Sequence, residues 1–201
     1  MGMGIAEVSF TVLRPEEVPL AKHPRWAVLG RSNVGKSTFL NALTHPKEIF
    51  RTGKSPGVTR GLIGVRVQLG KSIDSSLELV DLPGFGFAKG HSIVSSGWDA
   101  LAEALRSQSE ERGIMWIWLV DPRRVPEELE ENLLEWLGSV PFAFVFTKID
   151  GLRLEQRQAA ERNWAPYIQT AKEGPFWTSA LKGDGMDPLF KLARTFVRGA
   201  A

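Results

Sequence analysis

The eight residues GRSNVGKS at Gly30–Ser37 constrain the fold of this 201-residue chain more than any other feature. They fit the pattern G-x-x-x-x-G-K-[ST], follow the apolar run Trp26–Leu29 and open the amphipathic run Lys36–Leu43. In a strand–loop–helix context, backbone N–H groups wrap nucleotide phosphates, and the lysine reaches the β- and γ-phosphates. The alternative is an ordinary glycine turn. The predicted phosphate-binding residues are Gly30, Arg31, Ser32, Asn33, Val34, Gly35, Lys36, Ser37 and Thr38.

Short β-rich apolar runs alternate with amphipathic stretches along the chain. The predicted strands are Trp26–Leu29, Leu62–Leu69, Leu77–Asp81, Ile114–Val120, Phe142–Thr147 and Phe176–Thr178. The predicted helices are Lys36–Leu43, Ser95–Arg112, Pro126–Leu137, Leu154–Ala171 and Pro188–Arg198. This alternation indicates a parallel sheet with helices on both faces.

The loop Gly70–Ser76 is too short for a crossover helix, so its flanking strands should form an antiparallel hairpin. We therefore expect a three-layer α/β fold, with a mostly parallel six-stranded sheet and one antiparallel edge strand. Residues 25–201 are expected to form one domain, because no repeat or low-complexity linker divides them. Residues 1–24 are expected to be an extension with a possible short strand at Val8–Leu13.

Several function classes are disfavoured by composition. No apolar run approaches the roughly 18 residues that span a bilayer. The amino-terminal residues fit neither a signal peptide nor a myristoylation pattern. The absence of cysteine excludes disulfides, thiol catalysis and Cys-ligated zinc. These observations favour a cytoplasmic protein without a membrane partner.

The apolar run Leu77–Asp81 leads into DLPG, with Asp81 followed by Leu82, Pro83 and Gly84. An aspartate at this strand end is expected to hold Mg²⁺ through water, and the Gly84 N–H can reach a γ-phosphate. Alone the pattern is weak, because turns use Asp and Gly routinely. Its position after a phosphate loop and a hairpin favours a nucleotide role.

The sequence TKID at Thr147–Asp150 closes another predicted strand. The Asp150 carboxylate can accept hydrogen bonds from the guanine N1–H and 2-amino group together, a donor pair that adenine lacks. The motif therefore favours GTP; an ATPase requires Asp150 to be incidental. The Lys148 stem can cover the base, and a backbone N–H of the later TSA can meet guanine O6. The predicted base-binding residues are Thr147, Lys148, Ile149, Asp150, Thr178, Ser179 and Ala180.

A threonine in the loop PGVTRG can complete the Mg²⁺ shell when a γ-phosphate is present. Thr59 is the candidate; Thr52 is an alternative that lacks the flanking Pro-Gly, and a surface turn is the third possibility. The loop adds Gly57, Val58, Thr59, Arg60 and Gly61 to the predicted site. The candidate metal ligands are thus Ser37, Thr59 and Asp81, and the candidate catalytic groups are Lys36, Thr59 and Gly84.

Charge is unevenly distributed: residues 1–100 carry 12 Lys and Arg against 8 Asp and Glu. Six basic residues between 45 and 71 are opposed only by Glu48, namely Lys47, Arg51, Lys54, Arg60, Arg66 and Lys71. This region is either a solvated loop and hairpin edge or a surface for nucleic-acid phosphates. Glutamates of the third predicted helix are interpreted as its first turns and solvated face: Glu127, Glu128, Glu130, Glu131 and Glu135.

The motifs GRSNVGKS, PGVTR, DLPG, TKID and TSA, in this order, resemble a translation-factor-related GTPase domain. More closely, the chain resembles the EngB (YihA) family of bacterial ribosome-assembly GTPases, through SPGVT at 55–59, DLPGFGFAK at 81–89 and D-x-R at 121–123. The likeness covers roughly residues 25–198. It implies a Ras-like P-loop GTPase domain that binds GTP or GDP and Mg²⁺, and a large ribosomal subunit or its precursor, both rRNA and protein, as partner. We expect a monomer and no DNA partner.

The chain departs modestly from this family pattern. Val58 and Arg60 replace a Lys and a Gln, Phe85 and Phe87 stand where tyrosines are typical, and Ala180 replaces a second serine. Phe85 also occupies the place of the glutamine that orients water in Ras-type enzymes, which predicts slow intrinsic hydrolysis. In relatives with an asparagine like Asn33, K⁺ can supply the missing electrostatic role. A GTP-gated switch in cell division with little catalytic role is the alternative function.

Overall fold

The computed structural model describes residues 4–46, 48–50, 61–70, 75–85, 98–109 and 113–200. Its strands are β1 (Ile5–Val12), β2 (Arg25–Gly30), β3 (Leu62–Gln68), β4 (Ser76–Asp81), β5 (Ile114–Val120), β6 (Phe142–Phe146) and β7 (Glu173–Trp177). The α-helices of these ranges are α1 (Lys36–Thr44), α2 (Trp98–Arg106), α3 (Glu128–Leu137), α4 (Leu154–Asn163), α5 (Ala165–Thr170) and α6 (Met186–Gly199). None of these helices is long and apolar enough to cross a membrane.

The strands form one sheet in the order β1-β3-β4-β2-β5-β6-β7. β3 runs antiparallel to both of its neighbours, and the remaining pairs are parallel. The α/β class, the mostly parallel sheet and the hairpin are therefore as predicted. The strand count is seven rather than six, because β1 adds a strand at the edge, outside β3.

β1 is longer than the expected Val8–Leu13. Its sequence pattern predicts a strand only weakly, and there is a physical reason for this. Of its eight side chains only Ala6 and Val12 are buried, because an edge strand packs against few neighbours. The strand is fixed instead by its ladder with β3, from Ile5 opposite Gln68 to Val12 opposite Leu62. An edge strand that is held by backbone pairing needs few apolar side chains, so its sequence shows little of the apolar pattern that predicts strands.

Two apolar cores cover the two faces of the sheet. Side chains of α1 and α6 pack on one face, and those of α2, α3, α4 and α5 pack on the other. β5 (IMWIWLV) is buried along its whole length, as a strand between two helical layers must be. Trp116 and Trp118 lie in the core.

Two predicted helices end differently in the structure. The single helix expected over Leu154–Ala171 is α4 followed by α5, with Trp164 between them. Pro166 accounts for the break, because it lacks an N–H and its ring clashes with a carbonyl of the preceding turn. The helix expected over Ser95–Arg112 is described from Trp98 to Arg106; positions 95–97 and 110–112 lie outside the described residues.

The carboxyl ends of the parallel strands meet at one edge of the sheet. β2 leads there into the phosphate-loop sequence, β4 into DLPG, β6 into TKID and β7 into TSA. In open α/β sheets this edge is where ligands bind. The topology thus brings together motifs that are more than a hundred residues apart in the chain.

Candidate functional site

The phosphate-loop sequence forms a tight connection between β2 and α1. Gly35 has a φ of 101° and Asn33 a φ of 64°, so the loop turns through the left-handed region twice before the helix begins at Lys36. A Cβ on Gly30 would lie 2.8 Å from Val34 Cγ1 and 2.9 Å from the Leu119 carbonyl oxygen. The glycine at the loop entrance is therefore required by packing against β5.

The Lys36 ammonium donates a hydrogen bond to the Asp81 carboxylate across the site. Both side chains are buried, at 9% and 2% exposed. Burial raises the pKa of Asp81, and the nearby Lys36 ammonium acts against that rise. A buried carboxylate gains from a cationic partner, and in this structure that partner is Lys36.

The site offers hard oxygen donors for the expected Mg²⁺. The Asp81 carboxylate ends β4, and the half-buried Ser37 lies in the first turn of α1. Oxygen ligands of this kind, completed by water and phosphate, suit Mg²⁺. The third candidate ligand, Thr59, lies outside the described residues, as do its alternative Thr52 and the other loop candidates Gly57, Val58 and Arg60.

The DLPG segment runs directly alongside the phosphate loop. The Ser32 N–H donates to the Phe85 carbonyl oxygen at 3.1 Å, and a Cβ on Gly84 would meet Ser32 Oγ at 2.9 Å. The Phe85 side chain is 5% exposed and belongs to the apolar core, together with Leu82. Phe85 is thus turned into the protein, and Phe87 lies outside the described residues.

The base-binding candidates are joined by hydrogen bonds at the ends of β6 and β7. The Ser179 hydroxyl donates to the Asp150 carboxylate at 2.6 Å, which lowers the pKa of Asp150. The Ile149 N–H donates to the Thr178 carbonyl oxygen at 3.2 Å. The hydrogen bond from Ser179 fixes the position of the Asp150 carboxylate in the loop after β6. Ala180 follows in the same loop, half-buried against the core.

TKID is also attached directly to the phosphate loop. The Thr147 hydroxyl donates to the Val34 carbonyl oxygen at 2.7 Å, and the Lys148 ammonium donates to the Asn33 carbonyl oxygen at 2.5 Å. A Cβ on Gly35 would lie 3.4 Å from Lys148 Cε. The Lys148 stem thus lies over the loop, between the phosphate and base ends of the predicted site.

Asp121, in the D-x-R sequence after β5, supports this lysine. Its carboxylate accepts from the Arg123 guanidinium at 2.9 Å and 3.1 Å, and lies 3.4 Å from the Lys148 ammonium. Burial tends to raise the pKa of Asp121, but the hydrogen bonds from Arg123 and the charges of Arg123 and Lys148 lower it overall. The sequence marked D-x-R only as a family signature, without a role.

One predicted feature differs in the structure. Glu130, expected on a solvated face, is 2% exposed and paired with Arg31, so that interpretation is wrong for this residue. The helical spacing could have predicted this burial, because Glu130, Leu133 and Leu137 recur on one side of α3 and all three are buried. Gly61, a site candidate, packs against β1, where a Cβ would lie 2.1 Å from the Val12 carbonyl oxygen.

The basic region between 45 and 71 is described only in part. Arg66 forms an ion pair with Glu7 across the β1–β3 ladder, so its charge is balanced within the fold. The other five basic residues lie outside the described residues: Lys47, Arg51, Lys54, Arg60 and Lys71. The phosphate-binding role of this region therefore stays a prediction.

Comparison with known proteins supports the assignment that these motifs suggest. Residues 25–148 match the family described as 50S ribosome-binding GTPase. The chain is 35% identical over 189 residues to a probable GTP-binding protein EngB of Pelobacter propionicus, covering 92% of this chain and 90% of that protein. It is 33% identical over 195 residues to a GTP-binding protein of Arabidopsis thaliana, of which it spans 63% of the length.

Solved structures share the fold. A crystal structure of a probable GTP-binding protein EngB superposes with a TM-score of 0.62 at 22% identity, covering 87% of this chain and 99% of that one. A crystal structure of Era in complex with MgGDPNP and a 16S ribosomal RNA segment gives a TM-score of 0.65 at 22% identity, covering 88% of this chain and 57% of that one. Fold, motif order and family match agree: the chain belongs to the 50S ribosome-binding GTPase family and, within it, to the EngB group of GTP-binding proteins.

Proposed function

We propose that this protein is a GTP-driven switch that assists assembly of the large ribosomal subunit, with slow Mg²⁺-dependent hydrolysis of GTP. The observation that carries the guanine assignment is the Ser179–Asp150 hydrogen bond at the end of β6, joined through Lys148 and Asn33 to the phosphate loop. The ribosomal part rests on the family match.

In this proposal different residues bind the phosphates, the base and the metal ion. The backbone of residues 30–38 binds the phosphates, and Lys36 neutralises charge on the β- and γ-phosphates. Asp150 reads the guanine edge, while Lys148 covers the base. Ser37, Asp81 and Thr59 would hold Mg²⁺, which would supply further charge neutralisation.

Slow hydrolysis follows from the position of Phe85. A phenylalanine can neither accept a proton nor orient water, and this side chain is packed into the core. Its backbone carbonyl is already an acceptor for Ser32 N–H. The water-orienting group must therefore come from another element, a bound partner or a cation, and we expect a low rate in the isolated protein.

A potassium ion is the cation that we propose for this role. Asn33 is exposed at the phosphate loop, with its backbone carbonyl turned to Lys148. In this proposal its exposed side-chain amide oxygen serves as a ligand for the monovalent cation. GTP turnover measured in K⁺ and in Na⁺ at equal ionic strength tests this; faster turnover in K⁺ is expected, and equal rates would contradict it.

The proposed partner is the large ribosomal subunit or its precursor, contacted as a monomer in the cytoplasm. The family description names 50S ribosome binding, and the Era protein of similar fold has been crystallised with ribosomal RNA. The basic residues of the 45–71 region supply candidate contacts to RNA phosphates, which would make binding sensitive to salt.

Sedimentation with purified 50S particles tests the proposal. The protein is mixed with particles in the presence of a non-hydrolysable GTP analogue, of GDP or of no nucleotide, at two salt concentrations. We expect more protein in the particle fraction with the GTP analogue than with GDP, and less at high salt. Equal recovery with both nucleotides, or none with either, would contradict the ribosomal role and favour a GTP switch in another process such as cell division.

A further inference from the structure

Arg31, the second residue of the phosphate loop, is held by two carboxylates of another element. Its guanidinium donates to both oxygens of Glu130, at 2.5 Å and 2.7 Å, and to Glu127 at 2.9 Å. The Glu130 side chain is 3% exposed and that of Glu127 is 63% exposed. Burial alone would lower the pKa of Arg31, but the hydrogen bonds and charges of the two carboxylates raise it overall.

Glu130 is itself firmly placed. It lies on the buried side of α3, in line with Leu133 and Leu137, and its carboxylate also accepts from the Glu127 N–H at 3.0 Å. This capping arrangement fixes the first turn of the helix. A side chain held by its own helix, by a cap and by burial is a rigid anchor for the guanidinium, whose planar fork matches a carboxylate.

The backbone on the other side of Arg31 meets the predicted γ-phosphate segment. Arg31 forms a parallel β-bridge with Phe85, and the adjacent Ser32 N–H donates to the Phe85 carbonyl oxygen. Gly84 lies against Ser32. Arg31 therefore connects the start of α3 with the segment whose N–H is expected to meet the γ-phosphate.

We propose that Glu130 is a positioning residue of the nucleotide site. Through Arg31 it holds the entrance of the phosphate loop, and with it the Gly84–Phe85 backbone, at the spacing that a γ-phosphate contact requires. GDP has no γ-phosphate and cannot make this contact. Glu130 therefore raises the affinity for GTP relative to the affinity for GDP. This inference rests on the proposed function, since it assumes that Gly84 meets the γ-phosphate.

The test compares Glu130→Gln with two control variants on other helices. Glu103→Gln removes the exposed partner of Arg106 on α2, and Glu161→Gln removes the exposed partner of Arg157 on α4. Affinities for a non-hydrolysable GTP analogue and for GDP are measured by displacement of a fluorescent GDP analogue. For Glu130→Gln we expect GDP affinity within about twofold of wild type and GTP-analogue affinity lower by at least about fivefold. Both controls should keep the wild-type ratio.

Glu130→Asp provides a second variant, because it keeps the charge and shortens the reach. We expect it to lie between wild type and Glu130→Gln in the ratio of the two affinities. An unchanged ratio in both Glu130 variants, or an equal loss for the two nucleotides, would overturn the inference. Failure of the wild-type protein to bind any guanine nucleotide would instead overturn the proposed function, so the two failures are distinguishable.

Discussion

Lys36 and Asp81 form a buried ion pair between two residues whose expected partners are a phosphate and a magnesium ion. In the proposed function, nucleotide and Mg²⁺ would together give each of these charges a ligand partner in place of its protein partner. Breaking one buried charge from its partner is costly unless another charge replaces it. The pair therefore balances two buried charges within the protein.

The first prediction concerns Asp81→Asn. This change frees Lys36 and removes the proposed metal ligand, so we expect GDP binding without Mg²⁺ to persist. The gain in affinity on adding Mg²⁺ should fall by about tenfold or more. Titration of a fluorescent GDP analogue in Mg²⁺ and in EDTA measures both. Lys36→Ala is the complementary variant and should lose affinity in both buffers; full Mg²⁺ dependence in Asp81→Asn would contradict the metal role.

The second prediction concerns nucleotide choice. Asp150→Asn replaces an acceptor of two hydrogen bonds by a group that can also donate, which suits the xanthine edge. We expect GTP affinity to fall by roughly ten- to a hundredfold and xanthosine-triphosphate affinity to rise. Asp184→Asn is the matched control, because that exposed aspartate lies in the same loop and should leave both affinities unchanged. An Asp150→Asn protein with wild-type GTP affinity would make the aspartate incidental.

The third prediction is a pH dependence of stability at Asp121. Its folded-state pKa lies below the ordinary 3.8, so its contribution is fully present above that value and is lost as pH falls through the folded pKa. Asp121→Asn should cost about 1 kcal/mol at pH 7. Urea unfolding of both proteins from pH 7 downward should show a constant difference that shrinks below about pH 4. A difference that grows with acidity would contradict the ion-pair account.

The fourth prediction concerns the buried hydrogen-bond cluster around Glu78, which joins β1, β2 and β4. Glu78 on β4 accepts from Arg25 of β2 at 2.5 Å and from Ser9 of β1 at 2.6 Å. Arg25 also donates to the Pro19 carbonyl oxygen. Glu78→Gln leaves a buried guanidinium unpaired and should destabilise the protein by about 3 kcal/mol.

Urea unfolding measures this loss, with Glu161→Gln as the control. Glu161 pairs with Arg157 on the exposed side of α4, and its removal should cost less than about 0.5 kcal/mol. Equal effects of the two variants would contradict the stabilising role of this buried cluster.

The sequence predicted the strand ends that carry the motifs better than it predicted the outermost strand, β1. β2, β4 and β6 lead into the phosphate loop, DLPG and TKID and are buried along their whole length, and each motif follows at a position that the strand determines, as at Gly30 and Asp81. The sequence predicted β1 only as a possible short strand, because most of its side chains face solvent. Its pairing partner can be identified only in the folded sheet. The break at Trp164 was missed although Pro166 signals it.

Within the site, motif residues could be predicted from their spacing in the sequence. Contacts between side chains that lie far apart in the chain could not. Ser179 and Asp150 were both expected near the base, but their hydrogen bond depends on how β6 and β7 lie side by side. Glu130 was assigned to solvent because its neighbours are glutamates. Its ion pair with Arg31, 99 positions away, exists only because α3 packs beside the end of β2.

The most direct test of this account is a competition between GTP and ATP for the site of the wild-type protein. A fluorescent GDP analogue is bound in the presence of Mg²⁺, and unlabelled GTP, GDP or ATP is titrated against it. We predict that GTP and GDP displace the analogue at micromolar or lower concentration, with ATP weaker by at least about a hundredfold. Displacement by ATP at the same concentrations as GTP would contradict the account.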